Sequence, residues 1–190
     1  MKPRELLDIL TVAERLKDTT RHCYTSKGRH ESVAEHCWMT MLMAFMLKEE
    51  FPEADMDKVM RMCLIHDLGE AFTGDIPTFE KKAADENREE ELLNQWVESL
   101  PEYQRNEFSS LLAEMKERKT LEARIYKALD NMDAVIQHNL SDLSTWLPLE
   151  YDLQLTYGTE NVKFSPYMQQ LKEAVNDCTR QKIATESNKK

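Results

Sequence analysis

Turn-forming residues are scarce in this chain: four glycines and six prolines stand among 190 residues. A fold of many short strands, which needs a turn signal every eight to twelve residues or so, is therefore disfavoured. Leu, Met, Glu, Lys and Ala fill the space instead, and these residues lose little on entering a helix. An all-α fold is expected. No eighteen-residue run is apolar and uncharged, so no membrane-spanning helix is predicted, and no signal-like apolar stretch follows Met1-Lys2-Pro3-Arg4-Glu5. The four cysteines, Cys23, Cys37, Cys63 and Cys178, include no C-x-x-C pair and no framework spacing. That pattern argues against a zinc ribbon and a disulfide scaffold, and leaves reduced thiols in a soluble, cytoplasmic protein. Basic charge is also short, with 25 Lys and Arg against 35 Asp and Glu, a formal net charge of -10. Because the signs are mixed along the chain, a broad nucleic-acid or anionic-membrane surface is not expected. A small phosphorylated ligand, which needs only a few local cations, remains compatible.

With 41% hydrophobic residues the chain has material for one core, and 1–190 reads as a single domain. Leu6, Ile9, Leu10, Ala13 and Leu16 recur at three and four, the mark of an amphipathic first helix. Ser32-Val33-Ala34-Glu35 has the form of a capping box, so a second helix starts at Ser32 and runs toward Glu50. Asp55 caps a third, expected to end near Gly69. Charged helices follow over 79–100 and from Pro101, and Leu121 to Leu140 carries one continuous apolar stripe. The run Glu89-Glu90-Glu91 reads as a solvated face. A last helix begins near Ser165, and the polar end from Ala184 to Lys190 is expected to fray.

Chemistry concentrates in Leu64-Ile65-His66-Asp67-Leu68-Gly69-Glu70. On a continuous helix Glu70 lies four positions after His66 and three after Asp67, so it stands over both. An imidazole beside a carboxylate, with a second carboxylate above them, is a way to hold a divalent ion and a water. A capped helix end facing water is the bland alternative for such a pair taken alone. His36 in the first turn of the second helix is a further candidate, as are Asp130 and Asp133, which lie on or beside the apolar stripe of 121–140. A carboxylate facing a core is costly unless paired or metal-bound, and periodicity alone favours Asp133. The stretch Arg21-His22-Cys23-Tyr24-Thr25-Ser26-Lys27-Gly28-Arg29-His30 reads as an irregular, cationic loop in which Arg21 or Arg29 forks onto phosphate oxygens.

In order along the chain, Arg21, Glu31-Ser32-Val33-Ala34-Glu35-His36, Cys63-Leu64-Ile65-His66-Asp67-Leu68-Gly69-Glu70, Thr73-Gly74-Asp75-Ile76-Pro77-Thr78 and Ala128-Leu129-Asp130 resemble the HD-domain metal-dependent phosphohydrolases, pattern H…HD…D. The 5'-deoxynucleotidase-like branch is the nearer match, and the resemblance runs from about Leu6 to His138. It implies an HD-domain helical bundle: 1–31 supplies a helix and a phosphate-contacting loop, 32–140 the metal-site core, and 141–190 C-terminal extension helices. It also implies one divalent ion held by His36, His66, Asp67 and Asp130, which moves Asp133 behind the ligands. Glu70 matches the residue that orients and deprotonates water, Asp75 one beside the ester oxygen or sugar, and Arg21 a phosphate-gripping cation. The implied activity is hydrolysis of (deoxy)nucleoside 5'-monophosphates. Mixed nitrogen and oxygen ligands suit manganese, cobalt, iron, nickel or zinc. Members of the family often pair as homodimers, and the Met-rich and aromatic helices offer a surface for that. The chain departs from the bacterial deoxynucleotidases after Arg21, where it has His22-Cys23-Tyr24 and they carry a tryptophan, and from guanosine tetraphosphate hydrolases at Ala71, where H-D-x-x-E-D would need aspartate. Phosphodiesterase or pyrophosphohydrolase activity, and a non-catalytic binding module, are the competing expectations.

Overall fold

The computed structural model describes the backbone of residues 1–187 and the side chains of residues 1–185. Helices α1 (Pro3–Ala13), α2 (Val33–Met46), α3 (Met56–Ile65), α4 (Glu70–Thr73), α5 (Ala83–Glu98), α6 (Glu102–Glu117), α7 (Leu121–Leu140), α8 (Glu150–Thr156) and α9 (Pro166–Ser187) make up most of the chain. The two strands β1 (Thr20–Tyr24) and β2 (His30–Ser32) form one antiparallel hairpin. The fold is thus all-α with a small hairpin inserted before α2. Among the described residues no helix is long and apolar enough to cross a membrane.

The core forms where α2, α3 and α7 pack together. Ala44, Val59, Met62, Ile125, Leu129 and Met132 meet there, each almost fully buried. A large aliphatic side chain contributes roughly 1.5–3 kcal/mol on burial, so these contacts fix the three helices that carry the site. A second cluster joins Leu16, Val33 and Cys37 to Leu68, Leu93 and Val97, and Phe108 and Leu112 pack against both. The first helix is amphipathic as expected, yet Leu6, Leu7 and Leu10 on it are exposed.

Three local expectations are corrected. The cationic stretch after Thr20 is not irregular, because Thr20–Tyr24 and His30–Ser32 pair as strands. Thr20 pairs with Ser32 and Tyr24 with His30, so β1 carries a bulge between its ends. A bulge breaks the alternation of a strand and re-aims its side chains. Arg21, His22 and Cys23 consequently line the same cleft although they are consecutive. Next, α2 stops at Met46 and a 3₁₀ turn (Lys48–Glu50) completes the segment. Finally, α3 ends at Ile65, four residues before Gly69. The chain then tightens: Leu68, Glu70 and Ala71 donate to the carbonyls of Ile65, Asp67 and Leu68, each three residues back. Three-residue turns eclipse side chains at i and i+3, so Asp67 and Glu70 come together by a route other than a continuous α-helix. The last helix runs through Ser187, and the end of the segment expected to fray, residues 188–190, lies outside the described residues.

Candidate metal centre

His36 is aimed by the start of α2. The Ser32 hydroxyl accepts from the Glu35 amide at 3.3 Å while the Glu35 carboxylate accepts from the Ser32 amide at 2.9 Å. This reciprocal cap sets the first turn of the helix and with it the direction of His36. His66 and Asp67 come from the tight turn after α3, and Asp130 from the middle of α7.

These four side chains converge. His36 Nε2 lies 3.0 Å from His66 Nε2, 3.1 Å from Asp130 Oδ1 and 3.5 Å from Asp67 Oδ2. His66 Nε2 lies 3.1 Å from Asp67 Oδ2 and 3.5 Å from Asp130 Oδ1. The far nitrogens are already engaged. His66 Nδ1 donates to the Cys63 carbonyl at 2.8 Å, and His36 Nδ1 donates to Asp133 Oδ2 at 2.6 Å. In their neutral forms, with Nδ1 protonated, the two rings would present Nε2 lone pairs to each other and to two carboxylates. Such an arrangement is repulsive unless positive charge sits among them, and it is the outer hydrogen bonding expected of metal-ligating imidazoles. Two nitrogens and two oxygens fit a borderline divalent ion.

The electrostatics agree with that fit. Burial opposes the charged forms, yet the surrounding aspartates hold both imidazoles above the ordinary histidine range. Burial likewise works against ionised Asp67 and Asp130, but the imidazoles, joined at Asp130 by Lys127, hold both carboxyls below the usual carboxylate range. Glu70 behaves oppositely. Burial, and then the charges of Asp67, Asp75 and Glu89, push it up to about 10, with Lys81 acting against them. Its Oε2 is buried without a hydrogen-bond partner among the described residues. This corner carries surplus negative charge of the kind a divalent cation offsets.

Asp133 faces the back of His36 and is fully buried. Arg21 is 14% exposed and reaches Glu31 Oε2 at 2.7 Å and Asp133 Oδ2 at 3.9 Å. It borders an open cleft together with Asp75, Pro77 and Thr78. Burial holds the Asp75 carboxyl above its usual range, against the pull of Arg21 and of a hydrogen bond from the His22 amide. Arg29 is placed elsewhere: its guanidinium forks onto Glu35 at the surface and does not line that cleft.

Several neighbours of the site were not legible in the sequence. Glu89, read as part of a solvated face, accepts from Lys81 Nζ at 2.7 Å and lies against the turn at Gly69, where an added Cβ would meet its Cγ at 2.7 Å. Lys127 donates to Asp130 Oδ2 at 2.6 Å, a pairing that its i,i+3 spacing on α7 could have signalled. Glu31, which holds Arg21, gave no signal of its own beyond its place in the motif.

The HD domain family profile matches residues 13–172. The chain is 32% identical over 138 residues to 5'-deoxynucleotidase HDDC2 of Homo sapiens, covering 70% of this chain and 67% of that protein. It is 31% identical to the protein of the same name from Bos taurus, over 70% of this chain and 66% of that one. The chain thus spans about two thirds of the length of these curated relatives. A crystal structure described as "Predicted metal-dependent phosphohydrolase" from Magnetospirillum magnetotacticum MS-1 superposes with a TM-score of 0.78 at 26% identity, over 94% of this chain and 93% of that one.

Proposed function

The chain belongs to the HD domain family, and from that membership we propose that it is a metal-dependent phosphohydrolase that cleaves nucleoside 5'-monophosphates, deoxyribonucleotides above all, to nucleoside and phosphate. The observation that carries this reading is the convergence of His36, His66, Asp67 and Asp130 beside an unpartnered Glu70 and a cleft bordered by Arg21 and Asp75. The names of the human and bovine relatives support the substrate class.

His36, His66, Asp67 and Asp130 would hold a divalent ion of the manganese, cobalt, iron, nickel or zinc kind, which when bound would supply Lewis acidity for the hydrolysis. Glu70 would orient the attacking water and, once a cation among the four donors favours its ionised form, take the proton on Oε2. Arg21, already anchored through one nitrogen to Glu31, offers its remaining N–H groups to the phosphate and offsets charge that builds up as the bond to the leaving oxygen lengthens. Asp75 stands beside the leaving 5'-oxygen or the sugar, and a carboxyl that burial keeps protonated more readily than usual is suited to hand a proton to that oxygen. Water adds to phosphorus, the P–O5' bond breaks, and the nucleoside leaves with its hydroxyl restored. Residues 1–190 are read as one domain, placed in the cytoplasm. The exposed Trp38, Phe45 and Met46 of α2 support pairing of two copies.

The test is phosphate release by purified protein, stripped with chelator and reloaded with each divalent metal, on a panel of deoxyribonucleoside and ribonucleoside monophosphates, phosphodiesters and nucleoside polyphosphates. The expected result is metal-dependent cleavage of the monophosphates that disappears in His66→Ala. Turnover confined to diesters or polyphosphates would reassign the reaction, and the absence of any turnover with metal bound would make the chain a binding module.

A further inference from the structure

We propose that His22, His138 and Glu150 form a second divalent-metal site, separate from the four-donor centre, in the wall of the cleft where β1, α7 and α8 meet. Three donor atoms converge there. Glu150 Oε1 lies 2.9 Å from His138 Nε2 and 3.2 Å from His22 Nε2, and the three lie within 4.8 Å of one another.

The outer hydrogen bonds repeat those of the first centre. His138 Nδ1 donates to the Ala134 carbonyl at 2.8 Å, as His66 Nδ1 donates to that of Cys63, so in the neutral ring Nε2 is left as a lone pair aimed at Glu150. Glu150 Oε2 accepts from the Leu147 amide at 2.7 Å, which turns Oε1 toward the imidazoles. Glu150 is 1% exposed, and its ion pairs among the described residues are with these two histidines and with no lysine or arginine. The buried trio Glu31, His36 and Asp133 provides the contrast, since the Arg21 guanidinium already fills it.

A proton shared between His138 and Glu150 would settle one edge of the triangle. It would leave His22 Nε2, buried and without a hydrogen-bond partner among the described residues, 3.2 Å from the same oxygen but misaligned for a hydrogen bond. One cation among the three atoms satisfies all of them. Donors about 3.3 Å apart are what ligand bonds of roughly 2.0–2.1 Å give at tetrahedral angles. Two imidazoles and a carboxylate select a borderline ion of the zinc or cobalt(II) class, and three protein donors leave a position open toward the cleft. The ion would also clamp α8 to β1 one residue from Arg21.

The site is tested by metal counting, with no substrate and so independently of the proposed hydrolysis. Full-length protein is stripped with chelator, reloaded with cobalt(II) or zinc, freed of excess metal and analysed by plasma mass spectrometry. Wild type is expected to retain one ion more per chain than Glu150→Gln or His22→Gln, while His66→Ala keeps that extra ion and loses the one at the first centre. In the cobalt-loaded His66→Ala protein, the visible absorption of a low-coordinate site should persist, and it should vanish when His22→Gln is added. His22 is partly exposed and its variant is expected to fold, so it decides the matter even if Glu150→Gln does not. Equal metal content in wild type and His22→Gln, or no such absorption in His66→Ala, overturns the proposal.

Discussion

Asp130 and Asp133 sit one turn apart on α7, and the difference between them is a matter of which nitrogen of His36 each one meets. Asp130 shares the Nε2 side with His66 and Asp67, whereas Asp133 receives the Nδ1 proton from behind. Asp133→Asn should therefore leave the ligand set intact but weaken metal affinity, by about tenfold or more if the outer carboxylate has its usual worth. Competition against a chromophoric chelator measures this, and unchanged affinity would show that Asp133 is only a buried polar residue. Glu70 makes the opposite prediction. Glu70→Gln should retain metal and fold while phosphate release falls by about a hundredfold or more, the scale of a lost general base. Full activity in that variant with metal bound would remove Glu70 from the mechanism.

Among the elements, the C-terminal helices hold two tests. On α9, Lys172 is buried and donates to the Gln154 carbonyl of α8 at 3.1 Å. Burial lowers its pKa from an ordinary 10.5 to about 8. Between those values the unfolded chain binds more protons than the folded one, so this lysine makes stability rise with pH across that window, with a slope of at most about 1.4 kcal/mol per pH unit. Lys172→Met should be more stable than wild type near pH 7, with the gap closing toward pH 10 in urea unfolding. A constant gap would show that the lysine is not titrating. Just after α8, Gly158 has a φ of 75°, and a Cβ there would lie 2.9 Å from Asn131 Cβ, beside Asp130. Gly158→Ala combines left-handed strain with a close contact, and should cost roughly 1–3 kcal/mol in the same assay. A neutral result would mean that this turn relaxes freely.

For the whole molecule, an ion held by the proposed donors would tie α2, the turn after α3, and α7 into one charge-balanced unit, so on this reading stability and metal occupancy are linked. At a free metal concentration a hundredfold above Kd, binding adds about 2.7 kcal/mol, equivalent to a rise in Tm of roughly 5–10 °C for a chain of this size. Thermal scans with chelator and with added manganese or cobalt check this, and a Tm insensitive to both would show that the folded chain does not bind these ions.

Much of this was readable from residues alone. Few turn residues and strong three-and-four periodicity predict helices, and the extent of α7, Leu121–Leu140, follows directly because its apolar stripe is unbroken. The Ser32 and Asp55 caps are equally legible, since each satisfies helix-end amides only a few residues away. Local chemistry of that kind is carried by neighbours in the chain. The tertiary structure decided what depends on residues far apart: that Arg21 and not Arg29 borders the cleft, that Glu89 approaches Glu70, and that Glu150 meets His22 across more than a hundred positions. A bulge in β1 and a run of three-residue turns after Ile65 re-aim side chains without any strong local signal, because their geometry is selected by packing against other elements and not by the propensity of the residues that adopt it.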